Sequence, residues 1–150
     1  MILPQFYTDD IIKRAILEDI NYVDVASDYL ISEEQRNEAY FVSKADGVLC
    51  GIDVAMRVFE LLDDSFTAKV YMHDGDKVKK GDLIAEFSGK TTLLLKGERT
   101  ALNLLQHMSG IATATAKAVK LCEGTKASIA DTRKTLPSLR ALQKYAVTCG

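Results

Sequence analysis

Two cations and one hydroxyl stand where they could grip an acid, and a third cation lies earlier in the chain. Arg133 and Lys134 follow Thr132 in the run ADTRKTLPSLR, Ala130–Arg140. They sit just past a predicted strand over Ala127–Ala130, at the end where α/β barrels carry their active sites. A guanidinium donates two parallel hydrogen bonds to a carboxylate, and an ammonium adds a compact charge. Arg99 falls in the first turn of a helix expected to open at Gly97, where a cation opposes the helix dipole. That small cost hints at a purpose. Read alone, Arg133 and Lys134 fit a solvated basic pair better than a ligand set, and Arg99 a helix-surface residue.

The rest of the composition narrows the chemistry. Net charge is -2 over 150 residues, and no basic stripe marks a nucleic-acid face. An anionic ligand must be held by a few local cations rather than by a general field. Cys50, Cys122 and Cys149 are odd in number and form no CxxC pair, which argues against a disulfide framework and against a thiolate zinc site. Free thiols fit a reducing, cytoplasmic setting. The opening MILPQFYTDD carries acids where a signal peptide needs basic residues, and no uncharged apolar run is long enough for a bilayer, so no membrane partner is expected. His73 and His107 are isolated and make no metal site; His107 reads as a helix-face residue. Glu98 is explained by the helix dipole, Asn103 and Gln106 as polar contacts between helices, and Asp131 as a group that orients the Arg-Lys loop without acting as a base. Asp63-Asp64 lacks the glycines of a phosphate loop and reads as a helix-to-strand turn.

These residues need elements to position them. Thr8 before Asp9 and Asp10 predicts a helix to about Glu18. Asn21–Leu30 reads as a loop, and Ser32–Glu38 as a short exposed stretch. AYFVSKA, Asp46-Gly47 and VLCGI together predict a hairpin. Helical spacing returns over Asp53–Leu62, a strand over Phe66–Met72, two turns around Val78, and further strands over Leu83–Ser88 and Thr91–Leu95. Residues 1–96 are thus expected to form an α+β domain. From Gly97 a long helical region carries an apolar ridge of Leu102, Leu105 and Met108, with Arg99, Asn103, Gln106 and Gly110 on another face. Ser109-Gly110 should break it into two helices. The strand Ala127–Ala130, the loop Asp131–Thr135 and a helix over Ser138–Ala146 opened by Pro137 follow. Residues 97–150 then read as the linking helices and first strand-helix unit of an α/β barrel domain. A closed (β/α)₈ barrel takes about 250 residues, so that domain is expected to be incomplete here.

Two segments, GERTALNLLQHMSGIAT over Gly97–Thr113 and ADTRKTLPSLR over Ala130–Arg140, resemble the signature segments of the quinolinate phosphoribosyltransferase family, in order and separation. EDINYVDVASD at Glu18–Asp28, the DGDKVKKGD turn and the closing YAVTCG add weaker support, so the resemblance covers essentially the whole chain. It implies a hammerhead-like α+β domain followed by the start of an α/β barrel. It further implies phosphoribosyl transfer to quinolinate with decarboxylation, yielding nicotinate mononucleotide, pyrophosphate and CO2 for NAD synthesis. On this resemblance Arg133, Lys134 and Thr132 contact the pyridine dicarboxylate, with Lys134 as the catalytic residue. Arg99 reaches the same site from a neighbouring subunit of a homodimer or larger homo-oligomer. Magnesium would act with phosphoribosyl pyrophosphate, its ligands lying beyond residue 150. The departures from the family pattern are Leu136 and Ser138 around Pro137, where Thr and Gly are commoner, and Tyr22-Val23 before Asp24, where Gly is usual.

Two rival readings differ in kind. VYMHDGDKVKKGDLIAEF resembles the hammerhead repeat of biotinyl and lipoyl carriers, with Lys90 in a Gly-Lys-Thr turn, but the Met-Lys-Met or Asp-Lys-Ala setting of a modified lysine is missing. A relative acting on nicotinate or another acid is the second; the DTRKT loop with Arg99 favours a dicarboxylate.

Overall fold

The computed structural model describes residues 3–20 and 24–150. The first helix, α1, is Gln5–Ile20 and starts three residues before the expected Thr8. Pro4 closes its first turn: the proline carbonyl accepts from the amides of Tyr7 (3.0 Å) and Thr8 (3.2 Å). Thr8 therefore caps nothing, and its hydroxyl donates back to the Gln5 carbonyl. Asp9 is released from the dipole role and takes a bidentate fork from Arg57, with both hydrogen bonds at 2.9 Å. This hydrogen-bonded guanidinium holds the Asp9 carboxyl below its usual range.

The expected loop over Asn21–Leu30 contains a second helix, α2, at Val25–Leu30; residues 21–23, including the Tyr22-Val23 departure, lie outside the described residues. Asp24 caps α2 by accepting from the Ser27 amide and hydroxyl, while Asp28 accepts from the Asp24 amide. This reciprocal capping is the signal that marks a short helix in a polar stretch.

A three-stranded antiparallel sheet runs in the order β1-β5-β3, with β1 at Arg36–Val42, β3 at Thr67–Val70 and β5 at Leu83–Lys90. The predicted hairpin across Asp46-Gly47 does not form. β1 pairs with β5 instead, Ala39 opposite Phe87 and Phe41 opposite Ala85. The short β2, Gly47–Val48, pairs with β4, Lys77–Val78. A local turn competes here with burial of aromatic rings, and burial wins. Phe41, Phe87, Phe59 and Phe66 form one ring cluster, with centroids 4.9 Å apart for Phe41–Phe87 and for Phe59–Phe87. Asp46 serves a longer-range contact by accepting from the Lys80 amide, and a Cβ at Gly47 would fall 2.6 Å from the Thr113 hydroxyl.

Helix α3, Ile52–Leu62, follows its predicted spacing and buries Ile52, Val54, Ala55, Met56, Val58 and Phe59. The Asp63-Asp64 turn after it is also as read. The Asp63 carboxylate is buried and ties the turn after α3 to the end of β5, accepting from the Ser65 amide and hydroxyl and from the Lys90 amide. Burial raises its pKa, but these donors outweigh that and hold it below the usual range.

The largest departure is helix α4, which runs unbroken from Thr91 to Leu121. Thr91–Leu95 is its first turn, not a strand. A short apolar run is ambiguous between the two, but Leu94, Ala101, Leu104, Leu105, Met108 and Ala112 are buried at helical spacing. Gly97 lies inside the helix and against α3: a Cβ there would sit 2.8 Å from the Phe59 ring. Its small size sets the close approach of the two helices. Ser109-Gly110 is no break either. The Ser109 hydroxyl accepts from the Cys50 amide at 3.0 Å and donates to its carbonyl, and the Thr113 hydroxyl accepts from the Val48 amide at 2.9 Å. On the other edge of the same segment, Leu49 bonds to Asp76 and Gly75. Two hydroxyls one helical turn apart thus replace a neighbouring strand. Ser109→Ala would leave the buried Cys50 backbone unpaired, an expected cost of about 1–3 kcal/mol. An unchanged urea midpoint would refute this pairing.

No strand forms at Ala127–Ala130, which is exposed. A strand needs a neighbour to take its backbone groups, and none of the described residues offers one there. The last helix, α5, is Arg140–Cys149 rather than Ser138–Ala146. Pro137 and Ser138 form a turn before it, closed by the Leu139 amide on the Leu136 carbonyl. Ser138 adopts φ 65, in the left-handed region that glycine occupies without steric cost, and it is the position where the family pattern favours glycine. Leu142 and Ala146 bury the inner face of α5.

Candidate active site

The loop between α4 and α5 carries Thr132, Arg133 and Lys134, all exposed. Its backbone is braced from both sides. The Thr132 hydroxyl accepts from the Lys134 amide at 2.9 Å. Arg140, at the start of α5, donates to the Thr135 hydroxyl and the Arg133 carbonyl. Lys144 pairs with Asp131, so Asp131 orients the loop as expected. Gln143 accepts from the Leu136 amide at 3.0 Å and faces His107 Nε2 at 2.9 Å. Because the Gln143 carbonyl oxygen is committed to Leu136, its amide donates to Nε2, and the proton of a neutral His107 sits on Nδ1. His107 is thus a helix-face residue that carries the brace back to α4.

By contrast, the side chains of Arg133 and Lys134 have no hydrogen bond or ion pair among the described residues. The loop is rigid where it needs shape and unpaired where it holds charge. Such an arrangement can take an anion without breaking an existing ion pair. Sequence reasoning missed the braces Arg140, Gln143 and Lys144. Their roles depend on α5 folding back on the loop, and spacing alone carries no signal for that.

Arg99 stands elsewhere on α4. Its guanidinium bonds Asp19 at the end of α1 at 2.8 Å, and the side chain is 73% exposed. The hydrogen bond to Asp19 raises its pKa further. His107, where the loop is braced, lies eight residues on, about 12 Å along the helix axis. Within one chain Arg99 is held to Asp19, and no contact joins it to the loop cations. Asn103, Gln106 and Gly110 share its exposed side, and Asn103 and Gln106 make no contact between helices among the described residues. Lys96 on the same helix pairs with Asp28 of α2.

Magnesium does not fit the residues gathered here. It takes carboxylate, phosphate and water oxygens, whereas this loop offers cations and one carboxylate already paired with Lys144. The carrier reading fails on geometry too. Lys90 is not at a turn: it ends β5 and directly precedes α4, and its amide is held by Asp63.

A small antiparallel sheet with helices, docked on a long helix that leads to a braced cationic loop, defines a two-part class of protein. The family model described as quinolinate phosphoribosyl transferase, N-terminal domain, matches residues 24–109, and that for the C-terminal domain matches 111–150. The chain belongs to the quinolinate phosphoribosyl transferase family. It is 42% identical over 140 residues to a probable nicotinate-nucleotide pyrophosphorylase [carboxylating] of Bacillus subtilis (strain 168), covering 93% of this chain and 48% of that protein. A nicotinate-nucleotide pyrophosphorylase [carboxylating] of Mycobacterium leprae (strain TN) is 42% identical over 147 residues, covering 94% and 51%. The crystal structure of NadC from Streptococcus pyogenes superposes with a TM-score of 0.96 at 39% identity, covering all of this chain and 53% of that one. That of a nicotinate-nucleotide pyrophosphorylase from Francisella tularensis gives 0.92 at 35%, covering 99% and 53%. The chain spans about half the length of the curated relatives it matches. Its fold is that of the hammerhead-like α+β domain with the start of the α/β barrel domain.

Proposed function

We propose that the protein carrying this chain transfers a phosphoribosyl group from phosphoribosyl pyrophosphate to quinolinate with decarboxylation, releasing nicotinate mononucleotide, pyrophosphate and CO2, as a pentosyltransferase of NAD biosynthesis. The observation that carries this reading is the unpaired Arg133-Lys134 couple on a loop whose backbone α5 braces. Quinolinate is a pyridine with two adjacent carboxylates, and two fixed cations neutralise it with directional bonds. Thr132 keeps a hydroxyl proton to donate beside them.

In this reading Arg133 orients the diacid. Lys134 is the catalytic residue of this chain, its ammonium touching the substrate as the ring nitrogen attacks the anomeric carbon. Loss of the carboxylate next to that nitrogen follows as CO2; the cationic ring stabilises the carbanion left behind, and a proton from water replaces the carboxylate at that carbon. The contribution of these residues is positioning and electrostatics. Magnesium accompanies phosphoribosyl pyrophosphate, held by groups outside residues 1–150. Arg99 completes the site of a neighbouring subunit, which makes the working unit a homodimer or a larger homo-oligomer. The division into an α+β domain over 1–96 and the start of the barrel domain over 97–150 belongs to the same reading, as does a cytoplasmic location. Among the described residues no helix is long and apolar enough to cross a membrane.

The test is turnover by the full-length protein with phosphoribosyl pyrophosphate and magnesium, quinolinate against nicotinate. Formation of nicotinate mononucleotide and CO2 from quinolinate is expected, with no product from residues 1–150 alone. Preference for nicotinate overturns the assignment.

A further inference from the structure

The structure brings together two of the three cysteines, which stand 99 positions apart in the sequence. Cys50 Sγ, Cys149 Sγ and a carboxylate oxygen of Asp74 lie within 4.8 Å of one another. The absence of a CxxC pair hides this site from sequence reasoning, because its members come from three segments that meet only in the fold. We propose that Cys50, Asp74 and Cys149 form a binding site for a soft divalent cation of the zinc class, distinct from the cationic loop.

Four observations support it. First, two of the ligands are held in place before any ion arrives. Cys50 is fully buried, its backbone held on both sides by the Ser109 hydroxyl. Asp74 Oδ1 accepts from the amides of Gly51 (2.7 Å) and Ile52 (3.0 Å), which orients the carboxylate as outer partners orient a metal ligand. Second, the carboxylate has no cationic partner among the described residues. Arg57, which lines the same cleft, is engaged by Asp9 and Glu60. Third, the separations suit the ion. Zinc–sulfur bonds of about 2.3 Å and zinc–oxygen bonds of about 2.0 Å in a tetrahedron place ligand atoms roughly 3.5–3.8 Å apart. An inward shift of about an ångström closes the site, and Cys149, at the end of α5, can supply it. Fourth, the carboxylate side of the site faces solvent: Asp74 and Tyr145 line an open cleft of about 620 Å³.

Without an ion, the electrostatics disfavour a thiolate at Cys50. Burial, and then the neighbouring Asp74 charge, push the Cys50 thiol well above its ordinary range; burial and a hydrogen bond to Asp74 do the same for the Tyr145 phenol. A buried thiol such as Cys50 in this state is a poor nucleophile, which disfavours its attack on a disulfide. A bound dication reverses the balance. Both thiols then lose their protons to solvent, two thiolates and one carboxylate bind the ion, and no electron moves. Sulfur ligands select zinc-class ions over magnesium. Occupancy would pin the end of α5 to the Asp74 turn, and α5 is the helix that braces the Arg133-Lys134 loop.

The experiment uses the full-length protein, reduced, stripped of metal with a chelator and titrated with Co2+ without oxygen. A near-ultraviolet thiolate-to-cobalt band is expected, discharged by Zn2+ and unaffected by Mg2+. It should vanish in Cys149→Ser and persist in Cys122→Ser. Cys149 sits on a helix end and is partly exposed, so circular dichroism is expected to match the parent. As a second readout, Zn2+ should protect Cys149, and not Cys122, from maleimide labelling read by mass spectrometry. Absence of the band, its survival in Cys149→Ser, or a Cys50–Cys149 disulfide in place of metal overturns the proposal. Neither readout depends on turnover, so its failure is separate from that of the proposed reaction.

Discussion

Replacing Arg133 with alanine in the full-length protein is expected to lower kcat/KM for quinolinate by roughly 30-fold to several-thousand-fold. Truncating one partner of a hydrogen-bonded charge pair costs about 2–5 kcal/mol, much of it the penalty of leaving the other charge unmet. The structure explains why this loss falls on function and not on folding. The Arg133 side chain has no partner among the described residues, and what α5 holds is its carbonyl, through Arg140. The melting temperature should therefore stay near that of the parent, as for exposed positions that carry no structural contact. Arg133→Lys should recover only part of the loss, because an ammonium keeps the charge and lacks the planar fork. Steady-state rates at varied quinolinate check the prediction. A kcat/KM within about threefold of the parent would mean that the guanidinium does not touch the diacid in the transition state.

The largest effect on stability is expected from Phe59→Ala. Phe59 is 1% exposed, with its ring stacked on Phe87 at 4.9 Å and on Phe66 at 5.3 Å. It packs on its far side against Gly97 of α4, joining α3, the sheet and the long helix. A buried Phe→Ala change costs about 3–5 kcal/mol through lost transfer energy and the cavity left behind. Collapse around the cavity is limited here, since its walls belong to the sheet and two helices held by independent contacts. A domain stable by only about 5–15 kcal/mol loses a large share of its margin in this way. Urea unfolding of the parent and variant reads the difference. A loss below about 1 kcal/mol would show that the ring cluster is not the keystone of the three layers.

Legibility varied with the range of the interaction that fixed each element. Helix α3 and the turns flanking Val78 were readable because side-chain spacing and local Asp and Gly chemistry suffice to form them; the amides of His73 and Lys79 bond Asp76 and Asp82 three residues on. The start of α1 was misplaced because Pro4 competes with Thr8 and closes the turn earlier. The Asp46-Gly47 hairpin was a sound local reading overruled by the pairing of β1 with β5, which buries Phe41 on Phe87. Thr91–Leu95 is compatible with strand and helix alike, and burial of Leu94 at helical spacing with Ala101, Leu104 and Leu105 decided for the helix. Residues 127–130 have the composition of a strand and remain unpaired here, since a strand is defined by its neighbour.

The site followed the same rule. Thr132, Arg133 and Lys134 stood out as candidates through the motif around them, since residue type alone fits a solvated basic pair as well. The family was legible for the same reason, its signature segments being continuous in the chain. The braces Arg140, Gln143 and Lys144, the tie between Arg99 and Asp19, and the meeting of Cys50 with Asp74 and Cys149 were decided by the tertiary structure alone. Local periodicity states which face of an element is apolar. It is silent on which distant element will cover that face, and so on which polar groups are carried together when it does.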